Sequence, residues 1–211
     1  LVNDDLPSPT QFWLSPEFET GAKVGSYKLS SKIGSGSRGR GQIWLSRTAT
    51  GQQVALKIVK QQDMDDEKQF DREFKGICHY EPVSRDHDSL IDILHVSRDD
   101  EAGYYYYVME LADDVHGKEN NVPEFYRPKN MASELKARGR LPAEECISAG
   151  IQAAKALGVL HSNNIVHRDI RPASIVYCRD RIKLTDISLV TSIGESFSAS
   201  GTQGYSPVEG P

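Results

Sequence analysis

The sequence predicts an α+β fold of two parts: a five-stranded antiparallel sheet carrying one helix, then an incomplete helical part. Three observations predict it. Short strand-like runs with Gly or Thr-Gly punctuation fill residues 27–59. An amphipathic segment and two further strand-like runs follow by residue 111, and helical periodicity takes over from residue 131. The length of 211 residues fits one domain or two small ones, and 38% hydrophobic with 26% charged is ordinary for a folded chain.

Taken in order, residues 1–26 hold Pro7, Pro9 and Pro16 without clear periodicity and read as a lead-in segment. Residues 27–33, 42–47 and 53–59 form the meander. Phe70, Phe74, Ile77 and Cys78 recur amid charge and place an amphipathic helix over 65–80. Strands over 90–96 and 104–111 complete the sheet, with Asp99, Asp100 and Gly103 in the turn between them. The polar stretch 113–129, with Pro123, Pro128 and several Asn, reads as a linker or surface insertion. A helix over 131–138 stops at Gly139. A stronger one starts at Pro142, whose Glu144 and Glu145 suit the positive end of the helix dipole. Ile147, Ile151, Ala154, Leu157 and Leu160 are its expected apolar stripe. Runs over 175–178 and 182–184 flank Arg179, Asp180 and Arg181 as a small hairpin.

Composition excludes some functions. The formal net charge is −5, without the basic surplus of a nucleic-acid binder. No apolar run approaches the roughly 20 residues that span a bilayer, and the first residues lack the order of a signal peptide. Cys78, Cys146 and Cys178 are three, far apart, with no C-x-x-C spacing, so neither a disulfide framework nor a zinc site is suggested and a reducing cytoplasm is the expected location.

The chemistry concentrates in a few places. Ile33, Gly34, Gly36, Gly39 and Gly41 belong to a turn between two strands, where glycines let backbone N–H groups approach phosphate oxygens. Alone, the turn reads equally as a flexible hairpin tip. The next strand carries Val54, Ala55, Leu56 and Lys57, and a lysine fourteen residues after Ile43 reaches the space under that turn. Sixteen residues on, Glu73 on the helix can hold the Lys57 ammonium by an ion pair, although in isolation it reads as a solvated helix acid. The strongest signal is His167-Arg168-Asp169-Ile170-Arg171-Pro172-Ala173-Ser174, with Asp186 beyond the hairpin.

From residue 27 to the end the chain resembles the eukaryotic-type protein kinase family, in its bacterial, planctomycete-like form. That family's catalytic loop reads H-R-D-x-K-P-x-N and its metal motif D-F-G. The resemblance implies a protein-kinase-like bilobal fold, with one lobe over 27–111 and a partial second lobe over 112–211. It implies a serine/threonine kinase using ATP and Mg2+ on protein hydroxyls. Lys57, positioned by Glu73, would neutralise the α- and β-phosphates; Asp169 would orient the substrate hydroxyl and accept its proton; Asp186 would hold Mg2+. Arg171 stands where Ser/Thr kinases carry a lysine near the γ-phosphate. Met109 would be the gatekeeper, with backbone groups of Glu110 and Leu111 binding adenine and Ile43, Ala55 and Val176 sandwiching it. Ile77, His167 and Ile187 would stack as an internal spine. Arg168 would pair with a phosphate on Ser196, Ser198 or Ser200 of the activation segment, autophosphorylation being one source of it, while Thr202 would bond toward Asp169. Glu209 would close that segment.

The chain departs from the family pattern in three places. Ser174 replaces the metal-ligating Asn, Ser188 replaces the Gly of D-F-G, and the Gly-rich turn is two residues longer, which puts Arg38 and Arg40 over the phosphates or in solvent. Together they leave a second reading, a nucleotide-binding pseudokinase or scaffold. The family continues beyond the activation segment for further helices, so the chain is expected to be a fragment of marginal stability and low activity in isolation.

Overall fold

The structure is a computed structural model that describes residues 16–36, 39–117, 122–192 and 202–205. Arg38, Ser196, Ser198, Ser200, Glu209 and most of the lead-in segment lie outside the described residues. Six strands, β1 (Lys23–Val24), β2 (Tyr27–Ser35), β3 (Gln42–Arg47), β4 (Gln53–Lys60), β5 (Ile93–Asp99) and β6 (Tyr104–Met109), form one antiparallel sheet in the order β1-β2-β3-β4-β6-β5. The sixth strand is the correction to the five expected. Lys23 and Val24 of the lead-in pair with Lys28 and Tyr27 across a tight turn.

Period-two alternation on β4 sends Val54, Leu56 and Ile58 to one face and Ala55, Lys57 and Val59 to the other. The first face packs with Leu29, Trp44, Tyr106 and Val108. The second meets α1 (Glu67–Ser84) through Phe70 and Ile77, both buried. Asp66 caps α1 by accepting the Gln69 N–H at 2.7 Å. The helix runs four residues past the expected end at 80, with Pro82 inside its last turn.

Strand β5 starts at Ile93 rather than at residue 90, because the backbone ahead of it is used elsewhere. Ile91 N–H donates to Leu184 O at 3.0 Å, and Leu184 N–H donates to Ser89 O at 2.8 Å. These bonds tie the sheet to the hairpin of β8 (Ile175–Cys178) and β9 (Arg181–Leu184). Helices α2 (Met131–Arg138) and α3 (Ala143–Ser162) complete the helical part, together with a small pair formed by β7 (Ile165–Val166) and β10 (Thr191–Ser192). Asn130 and Ser133 cap α2 reciprocally.

Of the stripe expected on α3, Leu160 is buried, while Ile147, Ile151 and Ala154 are exposed. Ile147 is 62% and Ile151 51% exposed, whereas Ala149, Ala156 and Leu160 are buried. The helix is apolar on most sides, so periodicity could not choose a face; packing of α3 against β9 and β7 chose it.

Candidate active site

Where β2, β3 and β4 face the β8–β9 hairpin they leave a cavity of about 300 Å3. Ile33, Gly34, Ile43, Ala55 and Lys57 line it from the sheet, Met109 and Glu110 from the end of β6, and Val176, Arg171 and Asp186 from the opposite side.

Lys57 leaves β4 on the face that meets α1 and is 2% exposed. Its ammonium lies 3.9 Å from Glu73 Oε1 on α1, and it donates a short hydrogen bond to Ser188 Oγ. Ser188 Oγ in turn donates to Asp186 Oδ1 at 3.4 Å. The Arg171 guanidinium donates to Asp186 Oδ2 at 2.6 Å and, through Nε, to Asp169 Oδ2 at 3.2 Å. Thr202 Oγ1 donates to Asp169 Oδ1 at 2.7 Å. One unbroken series of contacts therefore runs from Glu73 through Lys57, Ser188, Asp186 and Arg171 to Asp169.

Two close approaches set this up. A Cβ on Gly36 would stand 2.6 Å from Lys57 Nζ and 2.2 Å from Arg40 O, so only glycine lets the turn lie against the lysine. A Cβ on Gly76 would stand 2.6 Å from Val190 O, so glycine lets α1 pack on the short turn that carries Ser188. Asp186 itself has φ 67°, a left-handed backbone of the kind aspartate tolerates better than most residues. Arg168 at φ 68° is strained by roughly 1–2 kcal/mol.

Burial, the largest influence, pulls the Lys57 ammonium down, but Tyr107, Glu73 and Asp186 outweigh it and hold the group above the ordinary lysine value. Burial raises the Glu73 carboxyl, and Lys57 opposes that rise. Glu73 Oε1 has no hydrogen-bond partner, so the ion pair is loose and Ser188 is the closer partner of the lysine.

His167 is 1% exposed; its Nδ1 accepts the Asp169 N–H at 3.3 Å, so Nε2 carries the proton and donates to Thr185 O at 2.8 Å. Burial holds its pKa below the ordinary histidine value, against the opposing pull of Thr185, Asp186 and Asp169. The unfolded chain therefore takes up this proton first. Stability should be full above about pH 6.5 and fall below it, by up to about 1.4 kcal/mol per pH unit until the folded group also titrates. A thermal unfolding midpoint flat between pH 7 and pH 5.5 would contradict this.

Several expected residues stand elsewhere. Ser174 is fully buried away from the cavity. Its hydroxyl accepts Arg171 N–H at 3.0 Å and lies 3.0 Å from Asp169 O and 2.8 Å from Arg171 O, so its oxygen braces the loop rather than facing a metal. Gly36 and Gly41 lie against the Lys57 side chain rather than in the cavity lining, and the Leu111 side chain borders a separate hollow with Val54 and Leu94, which leaves the role expected of its backbone untouched. Arg40 pairs with Asp65 at 2.6 Å, beside the start of α1. The Glu110 carboxylate is held away by Lys183 and by the Asp92 N–H at 2.9 Å. Ile77 and Ile187 belong to one buried cluster. The sequence reading missed Ser188 as the partner of Lys57. It also missed Tyr126 and Pro128, which line the cavity from the stretch read as a linker, and Asn130 just after it; an aromatic residue inside a polar stretch was the only signal.

Comparison with known proteins agrees with this geometry. The protein kinase domain profile matches residues 27–209. PrkC, a serine/threonine-protein kinase of Bacillus subtilis, is 28% identical over 174 residues, covering 82% of this chain and 24% of that protein. A Clostridium perfringens protein named "Probable serine/threonine-protein kinase" is 28% identical over 147 residues, covering 68% of this chain and 18% of its own length. PknA of Mycobacterium tuberculosis is 26% identical over 176 residues, covering 80% and 36% respectively. The chain thus spans about a fifth to a third of these relatives. With Lys57 and Asp186 lining one cavity, Glu73 and Asp169 linked to them through the same series of contacts, and a family match over most of its length, the chain belongs to the protein kinase domain family.

Proposed function

We propose that this chain is an ATP-dependent serine/threonine kinase domain, transferring the γ-phosphoryl group to protein hydroxyls in the cleft between a lobe over 27–111 and a second over 112–211. The observation that carries the reading is the contact series from Glu73 to Asp169, whose members Lys57, Asp186 and Arg171 line the cavity. Ile33, Gly34, Ile43, Ala55 and Val176 would take the base beside Met109. Only the main chain of Glu110 would serve it, since its carboxylate is held by Lys183. Lys57 would bind phosphate oxygens from a water-poor position, where its charge acts strongly. Asp169 would orient the incoming hydroxyl and take its proton. Arg171 would place a cation beside the transferred group.

Mg2+ commonly relies on one or two carboxylates plus substrate phosphates, and Asp186 fits that demand while Ser174 does not contribute. When bound, the ion supplies neutralisation of phosphate charge. Asp186 would serve the ion while Arg171 shares the same carboxylate. Transfer of labelled phosphate from ATP to a generic Ser/Thr protein substrate tests the reading, with Lys57→Met expected to lose at least 100-fold in activity. Labelling that survives Lys57→Met would dismiss it.

The grip of Arg171 on Asp186 favours a second reading, a nucleotide-binding pseudokinase. It predicts ATP binding of equal strength with and without Mg2+ and no labelling of substrate.

A further inference from the structure

The stretch after β6, expected to be a linker, is pinned to both parts of the molecule. Val115 N–H donates to Arg127 O at 3.0 Å and Lys129 N–H to Asp113 O at 2.7 Å, so the excursion is closed at its neck like a short ladder. Beyond the neck, Pro123–Phe125 forms a single helical turn, and Ser31 Oγ on β2 donates to Pro123 O at 2.7 Å. Between these anchors Tyr126 is 6% exposed, and its O–H donates to Ala112 O at 2.9 Å, a carbonyl of the segment joining the two halves. Burial raises the phenol far above its ordinary value, so it stays a neutral donor.

Tyr126, Pro128 and Asn130 thereby form a third side of the cavity, between Ile33 on the sheet and Val176 on the hairpin. Their consequence for a ligand is physical. Tyr126 already occupies the Ala112 carbonyl as acceptor, and its ring, fixed at that hydroxyl and by the neighbouring anchors, cannot step aside without breaking the hydrogen bond. A buried aromatic ring removes on the order of 150–250 Å2 of surface from water, so displacing it is costly.

We propose that Tyr126 is a specificity-determining residue of this cavity: its ring closes one side against purine nucleotides enlarged on the base or ribose, and Ser31 keeps that side in place through Pro123. The proposal rests on the nucleotide reading above. The test is equilibrium binding, by calorimetry, of ATP and of ATP carrying a phenyl-sized group at C2, at N6 or on the ribose, to the wild-type protein and its variants. Wild type should bind ATP at least tenfold more tightly than at least one enlarged analogue. Tyr126→Ala should shrink that ratio below threefold, and Tyr126→Phe, which keeps the ring, should retain most of it. Ser31→Ala, which loosens the wall without touching Tyr126, should shrink the ratio partway and remains informative if Tyr126→Ala does not fold. Equal ratios in wild type, Ser31→Ala and whichever Tyr126 variants fold overturn the proposal alone. Absence of ATP binding by folded wild type overturns it together with the nucleotide reading.

Discussion

Asp169→Asn should lower kcat for phosphate transfer by at least 1,000-fold while leaving the affinity for ATP within about threefold. The asparagine keeps the shape that meets Thr202 Oγ1 and still offers one oxygen to Arg171, so the loop has no reason to rearrange. What disappears is the group that takes a proton, a contribution typically worth 100- to 10,000-fold. Asp169 is 2% exposed and does not line the cavity that would hold the nucleotide, which is why binding and turnover should separate. Turnover within tenfold of wild type would remove Asp169 from the mechanism, whereas a matched loss of ATP affinity would make it a structural residue of the loop.

Lys183→Met should destabilise the fold by about 3 kcal/mol, read as a lower urea midpoint with an unchanged slope. Lys183 is 7% exposed and donates to Glu110 Oε1 and, at 3.2 Å, to Asp92 Oδ1. Removing the cation leaves two carboxylates facing each other at the junction between the sheet and the β8–β9 hairpin, with the Glu110 side chain 12% and the Asp92 side chain 37% exposed. Most of the cost is that uncompensated charge rather than the lost bonds. Lys183→Met combined with Glu110→Gln should therefore recover at least half of the lost stability. A double variant no more stable than Lys183→Met would show that packing of the lysine stem, not charge, dominates.

The parts of this protein legible in the sequence are those written by short-range rules. Short strand-like runs placed β2, β3, β4 and β6 within a few residues, and the spacing of Phe70, Phe74 and Ile77 placed α1. Charged residues at family spacings located Lys57, Glu73, Asp169, Arg171 and Asp186, and the structure gathers them. Other features carried no local signal. Ser174 looks the same in sequence whether its hydroxyl faces a metal or the backbone of its own loop, and only the backbone atoms around it decide.

Sequence alone therefore determined the order of strands and helices, the family, and the identity of the charges, because each depends on residue type and spacing within a few turns of chain. Tertiary structure decided who touches whom. Ser188 rather than Glu73 is the closest partner of Lys57, the buried face of α3 runs through Ala149, Ala156 and Leu160, and Tyr126 folds back onto Ala112. Those outcomes depend on competition among distant groups for one ammonium, one helix face and one carbonyl, and such competition is settled only when packing brings the contenders within a few ångströms of each other.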